Sequence, residues 1–278
     1  MKELYDKVSV ECSKQTTLAY STSFSLGVRM LNKCYRHHIY SLYGFVRFAD
    51  EIVDTFHDYN KAELIQRYRR DVEFAVAERI SINPILNSFQ HCYHQNNFEW
   101  SLVDCFLKSM EMDLEKSSHS IVTFNEYVLG SAEVVGLMCL KVFTNGNIEM
   151  YEKLKPFAMK LGSAFQKVNF LRDVQEDYNL RGRTYFPGLN WAEFTDAEKR
   201  KIESEIEDDF REALIGIKKL PREVRFGVYL AYVYYRRLFQ KIRSVPSHQI
   251  MKERIRIPDR RKLALIVSSY VRHNLNII

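Results

Sequence analysis

Four aspartates in two pairs, Asp50 with Asp54 and Asp173 with Asp177, are the residues best placed to do chemistry. A helix advances about 100° per residue, which puts Tyr43, Arg47, Asp50 and Asp54 at roughly 0°, 40°, 340° and 20° around one axis. Gln166, Asn169, Asp173 and Asp177 fall at roughly 0°, 300°, 340° and 20° around another. Each set is therefore one polar stripe. The residues between are largely apolar: Phe45, Val46, Phe48, Ile52 and Val53 in the first segment, Val168, Phe170, Leu171 and Val174 in the second. An acidic stripe on a helix whose flanks favour burial sets like charges against each other, at a few tenths of a kcal/mol per pair in water and more when buried. A cation should offset this. Hard oxygen donors on rigid helices suit Mg²⁺, which keeps several waters and shares its sphere with phosphate. Arg47, one turn before the first pair, and Arg172, beside the second, suit a diphosphate bridging the metals. One such pair on a helix is usually a solvated face. Two on apolar helices, each with an Asn or Arg about one turn away, favour the metal–diphosphate reading.

The elements that must carry these stripes are helices throughout. Periodicity predicts them over residues 6–23, 36–56, 61–78, 83–92, 99–115, 124–143, 149–178, 196–218, 223–242 and 259–273. Asn83 with Pro84, Pro221 and Asp259 mark helix starts. Breaks are expected at Asn145–Asn147, at 181–183 and around Pro246. No alternating strand pattern of useful length occurs. Ten Gly and six Pro in 278 residues are few, which favours long helices over a many-stranded sheet. With no linker, repeat or low-complexity tract, residues 1–278 read as one domain, an all-α bundle with an interior cavity.

Charge narrows the partners. Forty-one Lys and Arg against 35 Asp and Glu give a net charge of +6 and imply an anionic partner: nucleic acid, anionic lipid or a phosphorylated small molecule. Five scattered cysteines without a CxxC pair read as reduced thiols of a cytosolic chain. No signal peptide is visible, and the uninterrupted apolar runs, such as 226–235, are too short to span a bilayer.

At these two segments the sequence resembles the phytoene/squalene synthase family, the head-to-head branch of trans-prenyl transferases, and within it the bacterial-type phytoene synthases. Residues 43–54 are similar to the family's first aspartate motif. Residues 166–177, followed by Arg181, Gly182, Arg183, Thr184, Tyr185, Phe186 and Pro187, are similar to the second. Residues 127–138 look like its central helix motif, and Ser21, Thr22, Ser23 and Phe24 like its N-terminal substrate flap. The resemblance implies an all-α fold of the class I isoprenoid synthase type and three Mg²⁺ ions held by Asp50, Asp54, Asn169, Asp173 and Asp177. It implies that Arg47, Tyr43, Ser21, Ser23, Gln166 and Arg172 contact diphosphate or position the acceptor. Tyr235, Arg254 and Lys262 fall where the family keeps further diphosphate contacts. The reaction implied joins two geranylgeranyl diphosphates through a cyclopropylcarbinyl diphosphate to phytoene, a step of carotenoid biosynthesis. No nicotinamide cofactor is expected.

The chain departs from the family pattern in two places. Leu129 stands where many relatives have a tyrosine, and Glu133 where a glycine is usual. Gly27 and Val28 in the flap are small and leave room for a longer chain, which favours a C40 product. Squalene or dehydrosqualene synthase acting on farnesyl diphosphate is the close rival; a non-catalytic scaffold keeping the fold is the rival from another class. A di-iron oxidase is disfavoured because Asp54 with His57 has no second such pair. His91 and His94 lack further ligands. Ten basic residues between Arg236 and Lys262 suit either a solvated face or peripheral contact with anionic lipid; no nucleic-acid recognition motif accompanies them.

Overall fold

The computed structural model describes residues 1–115, 118–179 and 181–257. Lys262 and the helix expected over 259–273 lie outside the described residues. Among those described, the elements are α-helical: α1 (Lys2–Tyr20), α2 (Thr22–Arg29), α3 (Lys33–Asp54), α4 (Lys61–Glu78), α5 (Pro84–Gln95), α6 (Trp100–Glu115), α7 (Ile121–Val128), α8 (Val134–Thr144), α9 (Ile148–Asn179), α10 (Asp196–Lys219), α11 (Arg222–Arg243) and α12 (Ser247–Ile250). A lone parallel bridge, Ser118 to Thr184, ties the α6–α7 connection to the loop after α9.

Local chemistry sets most boundaries. Asn32, Asn60 and Asn83 cap α3, α4 and α5 by accepting from backbone N–H groups, and Pro84 occupies the first turn of α5. Ser120 with Thr123, and Thr195 with Glu198, close capping boxes on α7 and α10. The break expected at 145–147 follows from Asn145 and Gly146 at φ of 46° and 82°, and the break at 181–183 centres on Gly182 at φ of 64°. Two expectations are corrected. The helix read over 6–23 is interrupted at Ser21, which is extended (φ −143°, ψ 105°) and uses its hydroxyl to cap α2. The helix read over 124–143 contains a π turn, Leu129–Glu133, between α7 and α8.

The core holds α3 and α9 from outside. On α3, Phe45 is fully buried and stacks on Phe89 with centroids 3.9 Å apart. Burying such a ring stabilises by about 1.5–3 kcal/mol. On α9, Phe170 and Leu171 face a second cluster with Tyr185, Phe186 and Trp191. That leaves one stripe of each helix for polar residues. The α7–α8 stretch Ile121–Thr144, with mean hydropathy 1.5, is long and apolar enough by composition to cross a bilayer, a length the uninterrupted runs alone did not reveal; 56% of that window is buried within the bundle.

The π turn is squeezed between α6 and α9 by glycines. A Cβ on Gly130 would lie 2.6 Å from the Cys105 carbonyl oxygen, and one on Gly162 would lie 2.6 Å from that of Ala132. Helix propensity alone would make Gly162→Ala stabilising by about 1 kcal/mol. Because the obstruction is backbone, we expect it to destabilise by about 1–3 kcal/mol in urea unfolding. A gain in stability would show that the π turn yields.

Candidate functional site

The two acidic stripes open onto a common cluster of arginines. Arg181 donates to Asp177 Oδ1 at 2.8 Å and lies 3.8 Å from Asp54 Oδ2, so one guanidinium spans α9 and α3. Arg183 donates to Asp54 Oδ1 at 2.7 Å and to the Val53 carbonyl at 3.1 Å. Both arginines sit on the loop after α9, which turns at Gly182 and returns toward α3.

On α3, Arg47 pairs with Asp50 and with Glu51 and lies over the Tyr20 ring at 4.4 Å. Tyr43 stacks on Phe24 at 4.8 Å and hydrogen-bonds Ser21, which brings the start of α2 against the first stripe. Burial pushes the Tyr43 hydroxyl up to about 12, so it is a donor at neutral pH. Ser23, on the same turn as Ser21, is half-buried and has no side-chain hydrogen bond among the described residues.

On α9, Arg172 grips Asp173 with two hydrogen bonds, the longer at 2.9 Å, and Arg254 reaches the same carboxylate at 2.7 Å. The structure therefore brings Arg254, on the segment after α12, to the second acidic pair. Tyr235 of α11 donates to Asn169 Oδ1 at 3.2 Å, Asn169 donates to Gln166 Oε1 at 3.4 Å, and Gln166 donates to Ser131 Oγ at 3.3 Å. Tyr235 also stacks on Phe165 at 3.9 Å.

Electrostatics at this end are strained in one direction. Burial, and then the neighbouring Asp54, raise the Asp50 carboxyl above the usual range, although 38% of its side chain stays exposed. Burial raises Asp177 to about 6 in spite of Arg181. Carboxyls that resist ionisation through burial and mutual repulsion are groups a dication would relieve, and every donor in the set is a hard oxygen, so the donor set fits Mg²⁺. As they stand, the acids turn to arginines, and no three His, Cys, Asp or Glu among the described residues are grouped to hold one metal ion.

Behind the acids lies a residue that sequence reasoning missed. Asp113 of α6 is 8% exposed, accepts from Tyr127 at 2.8 Å and from Tyr185 at 3.2 Å, and lies 3.8 Å from Arg183. Burial raises its carboxyl to about 7, against the pull of Arg183. Asp113 thus backs the arginine that holds Asp54. The available signal was its place on an apolar helix, among Met110, Met112 and Leu114. Arg181, Arg183 and Glu51 stood inside the quoted segments without an assigned role.

Gln166 of the second stripe lines an apolar cavity of about 270 Å³, walled mainly by α2, α8, α9, α10 and α11, and Phe24 of its wall stacks on Tyr43 of the first stripe. Gly27 and Val28 line it, as do Phe157, Gly216 and Ala231. Other features resolve into structure. Glu133 is half-buried beside Lys160, Lys167 and Asp209. His91 approaches Asp6 at 3.0 Å, whereas His94 meets the Val76 carbonyl at 2.9 Å, so the two serve different partners. All five cysteines are free. Within the basic segment, Arg236 and Arg243 pair with Glu207.

Comparison with known proteins follows the same line. The family profile described as squalene/phytoene synthase matches residues 17–261. A phytoene synthase of Arthrospira platensis is 24% identical over 294 residues, covering 95% of this chain and 93% of that protein. A 4,4'-diapophytoene synthase of Staphylococcus haemolyticus is 29% identical over 190 residues, covering 66% and 64%. A dehydrosqualene synthase crystallised with a ligand superposes with a TM-score of 0.82 at 21% identity, covering 97% of each chain. A squalene synthase of Alicyclobacillus acidocaldarius gives 0.76 at 18% identity, covering 90% of this chain and 97% of that one.

Proposed function

The chain belongs to the squalene/phytoene synthase family, and on that premise we propose that it condenses two geranylgeranyl diphosphates head to head to give phytoene. The family carries out head-to-head prenyl transfer. One observation carries it: two acidic stripes are bridged by Arg181 between Asp54 and Asp177, and Gln166 of the second stripe lines an apolar cavity.

In this reading Asp50, Asp54, Asn169, Asp173 and Asp177 would hold Mg²⁺, which when bound supplies positive charge to the departing diphosphate. Arg47 and Arg172 neutralise the same oxygens as the allylic C–O bond breaks and its electron pair leaves with the diphosphate. Tyr43, Ser21, Ser23, Gln166, Tyr235 and Arg254 hold the diphosphates or the acceptor. The cavity receives the prenyl chains and keeps water from the cation while the second substrate's double bond attacks it. A cyclopropylcarbinyl diphosphate results. A second ionisation, rearrangement and proton loss complete the hydrocarbon. Phe24 and Phe165 offer ring faces to cationic carbon. The longer chain is favoured by Gly27, Val28 and Ala231, small residues on the cavity wall, whereas Phe157 covers Gly216. We further place the protein in the cytosol, with the basic segment around Arg237 and Lys252 meeting anionic lipid because the product is oily.

The test is incubation of purified protein with geranylgeranyl or farnesyl diphosphate and Mg²⁺, without nicotinamide, followed by product chromatography. A C40 hydrocarbon from the first substrate is expected. A C30 hydrocarbon from farnesyl diphosphate alone would support a dehydrosqualene-type reading, favoured by the 29% identity to a 4,4'-diapophytoene synthase. No hydrocarbon from either would defeat the catalytic reading.

A further inference from the structure

The cavity wall is apolar with few exceptions, and Ser131 and Gln166 are the two that bring a hydroxyl or an amide to it among the described residues. They meet each other, Gln166 Nε2 donating to Ser131 Oγ at 3.3 Å. The bond is the last link of a hydrogen-bonded chain that starts at Tyr235. Tyr235 O–H donates to Asn169 Oδ1, Asn169 Nδ2 donates to Gln166 Oε1, and Gln166 Nε2 donates to Ser131. Turning over Asn169 alone would set its oxygen against Gln166 Oε1, and turning over Gln166 alone would set its N–H against that of Asn169, so the two amides share one sense. Ser131 can reach α9 because it rides on the π turn, which Gly162 admits to within backbone contact. Isolated π turns inside α-helices often mark functional positions.

The Gln166–Ser131 contact is part-buried, and a part-buried amide N–H that loses its partner recruits a water where room allows. Here that water would stand at the boundary between the diphosphate end and the apolar cavity. Resting on the prenyl-synthase reading above, we propose that Ser131 is a positioning residue that keeps this boundary dry: by accepting from Gln166 it removes the need for a water that would otherwise trap the carbocation. Trapping is a balanced step. A water oxygen forms a bond to the cationic carbon, the proton passes to bulk water or released diphosphate, and a prenyl or cyclopropylcarbinyl alcohol replaces the hydrocarbon. No oxidant or reductant is involved.

The experiment compares wild type, Ser131→Ala and Ser131→Thr with geranylgeranyl and farnesyl diphosphates in water enriched in heavy oxygen. Diphosphate release and the ratio of alcohol to hydrocarbon are both measured. Alcohol from carbocation trapping carries the heavy oxygen on carbon, whereas hydrolysis at phosphorus leaves the alcohol unlabelled. We expect Ser131→Ala to raise the labelled alcohol share about fivefold or more while diphosphate release stays within about twofold of wild type. Ser131→Thr, which keeps the hydroxyl, should return the ratio to wild type. An unchanged ratio in Ser131→Ala, an increase confined to unlabelled alcohol, or a failure of Ser131→Thr to rescue overturns the proposal. A wild-type enzyme that releases no diphosphate overturns the prenyl-synthase reading itself, and this one with it; the wild-type arm separates the two failures.

Discussion

Asp50→Asn and Asp173→Asn are each expected to lower turnover of prenyl diphosphate by about a thousandfold or more, the scale of losing a group aimed at the charge that develops in the transition state. The substitution is nearly isosteric, so the loss is one of charge. In the native protein, Asp50 is pressed by Asp54 and by burial, and Asp173 draws Arg172 and Arg254 to itself. A neutral amide at either place cannot neutralise a cation, and leaves a guanidinium to compete for the diphosphate in the wrong place.

The same geometry predicts that folding tolerates the change. Arg47 keeps Glu51 when Asp50 becomes neutral, and relief of the Asp50–Asp54 repulsion offsets the lost pair. Asp50 is also exposed enough that its ion pair contributes no more than about 1 kcal/mol. Arg254 retains Glu176 at 3.6 Å when Asp173 is replaced. Helical circular dichroism should therefore match wild type while diphosphate release collapses. Unaltered turnover in both variants would remove these carboxylates from the site.

The acidic pairs were legible in the sequence because helical spacing is rigid: i and i+4 must share a face, so Asp50 with Asp54 and Asp173 with Asp177 define stripes before any tertiary contact is known. The caps at Asn83 and the turn at Asn145 were legible for the same local reason. Ser21 was not, because a serine after Tyr20 is compatible with a continuing helix until Tyr43, from elsewhere in the chain, bonds Ser21 and stacks on Phe24. The π turn was illegible because its cause is non-local. Gly130 and Gly162 admit the neighbouring backbones of α6 and α9, and no period within residues 121–144 encodes that approach. Asp113 was hidden differently. A single acid on an apolar helix reads as an outward charge, and its partners Tyr127, Tyr185 and Arg183 come from two distant segments. Arg181 and Arg183 were visible as motif residues, but only the return of the loop at Gly182 shows that Arg181 spans the two stripes and that Arg183 joins Asp54 to Asp113.

Asp113 supports the second large prediction, and the sign of its pH dependence is fixed by the direction of its shift. Its carboxyl titrates near 3.8 when unfolded and is raised by burial to about 7 in the fold, with Arg183 opposing the rise. Between about pH 4 and pH 7 the unfolded chain releases this proton while the folded protein retains it, so the contribution of Asp113 to stability is full below the lower value and is lost as pH rises through the upper one. Asp113→Asn imitates the neutral acid, offering a carbonyl acceptor for Tyr127 and N–H donors in place of the acid's O–H, and does not titrate. In metal-free protein the variant should gain on wild type as pH rises from 5 to 7, by up to about 3 kcal/mol at 1.36 kcal/mol per unit, and the gain should level off above pH 7. Urea unfolding of both proteins at pH 5, 6, 7 and 8 measures it. A difference that does not change with pH would mean that Arg183, rather than burial, governs this carboxyl, and that Asp113 stays ionised throughout. The prediction also separates scaffold from chemistry: stabilisation at pH 8 accompanied by lower turnover would identify a buried acid kept, against folding stability, to hold Arg183 between Asp54 and the two tyrosines.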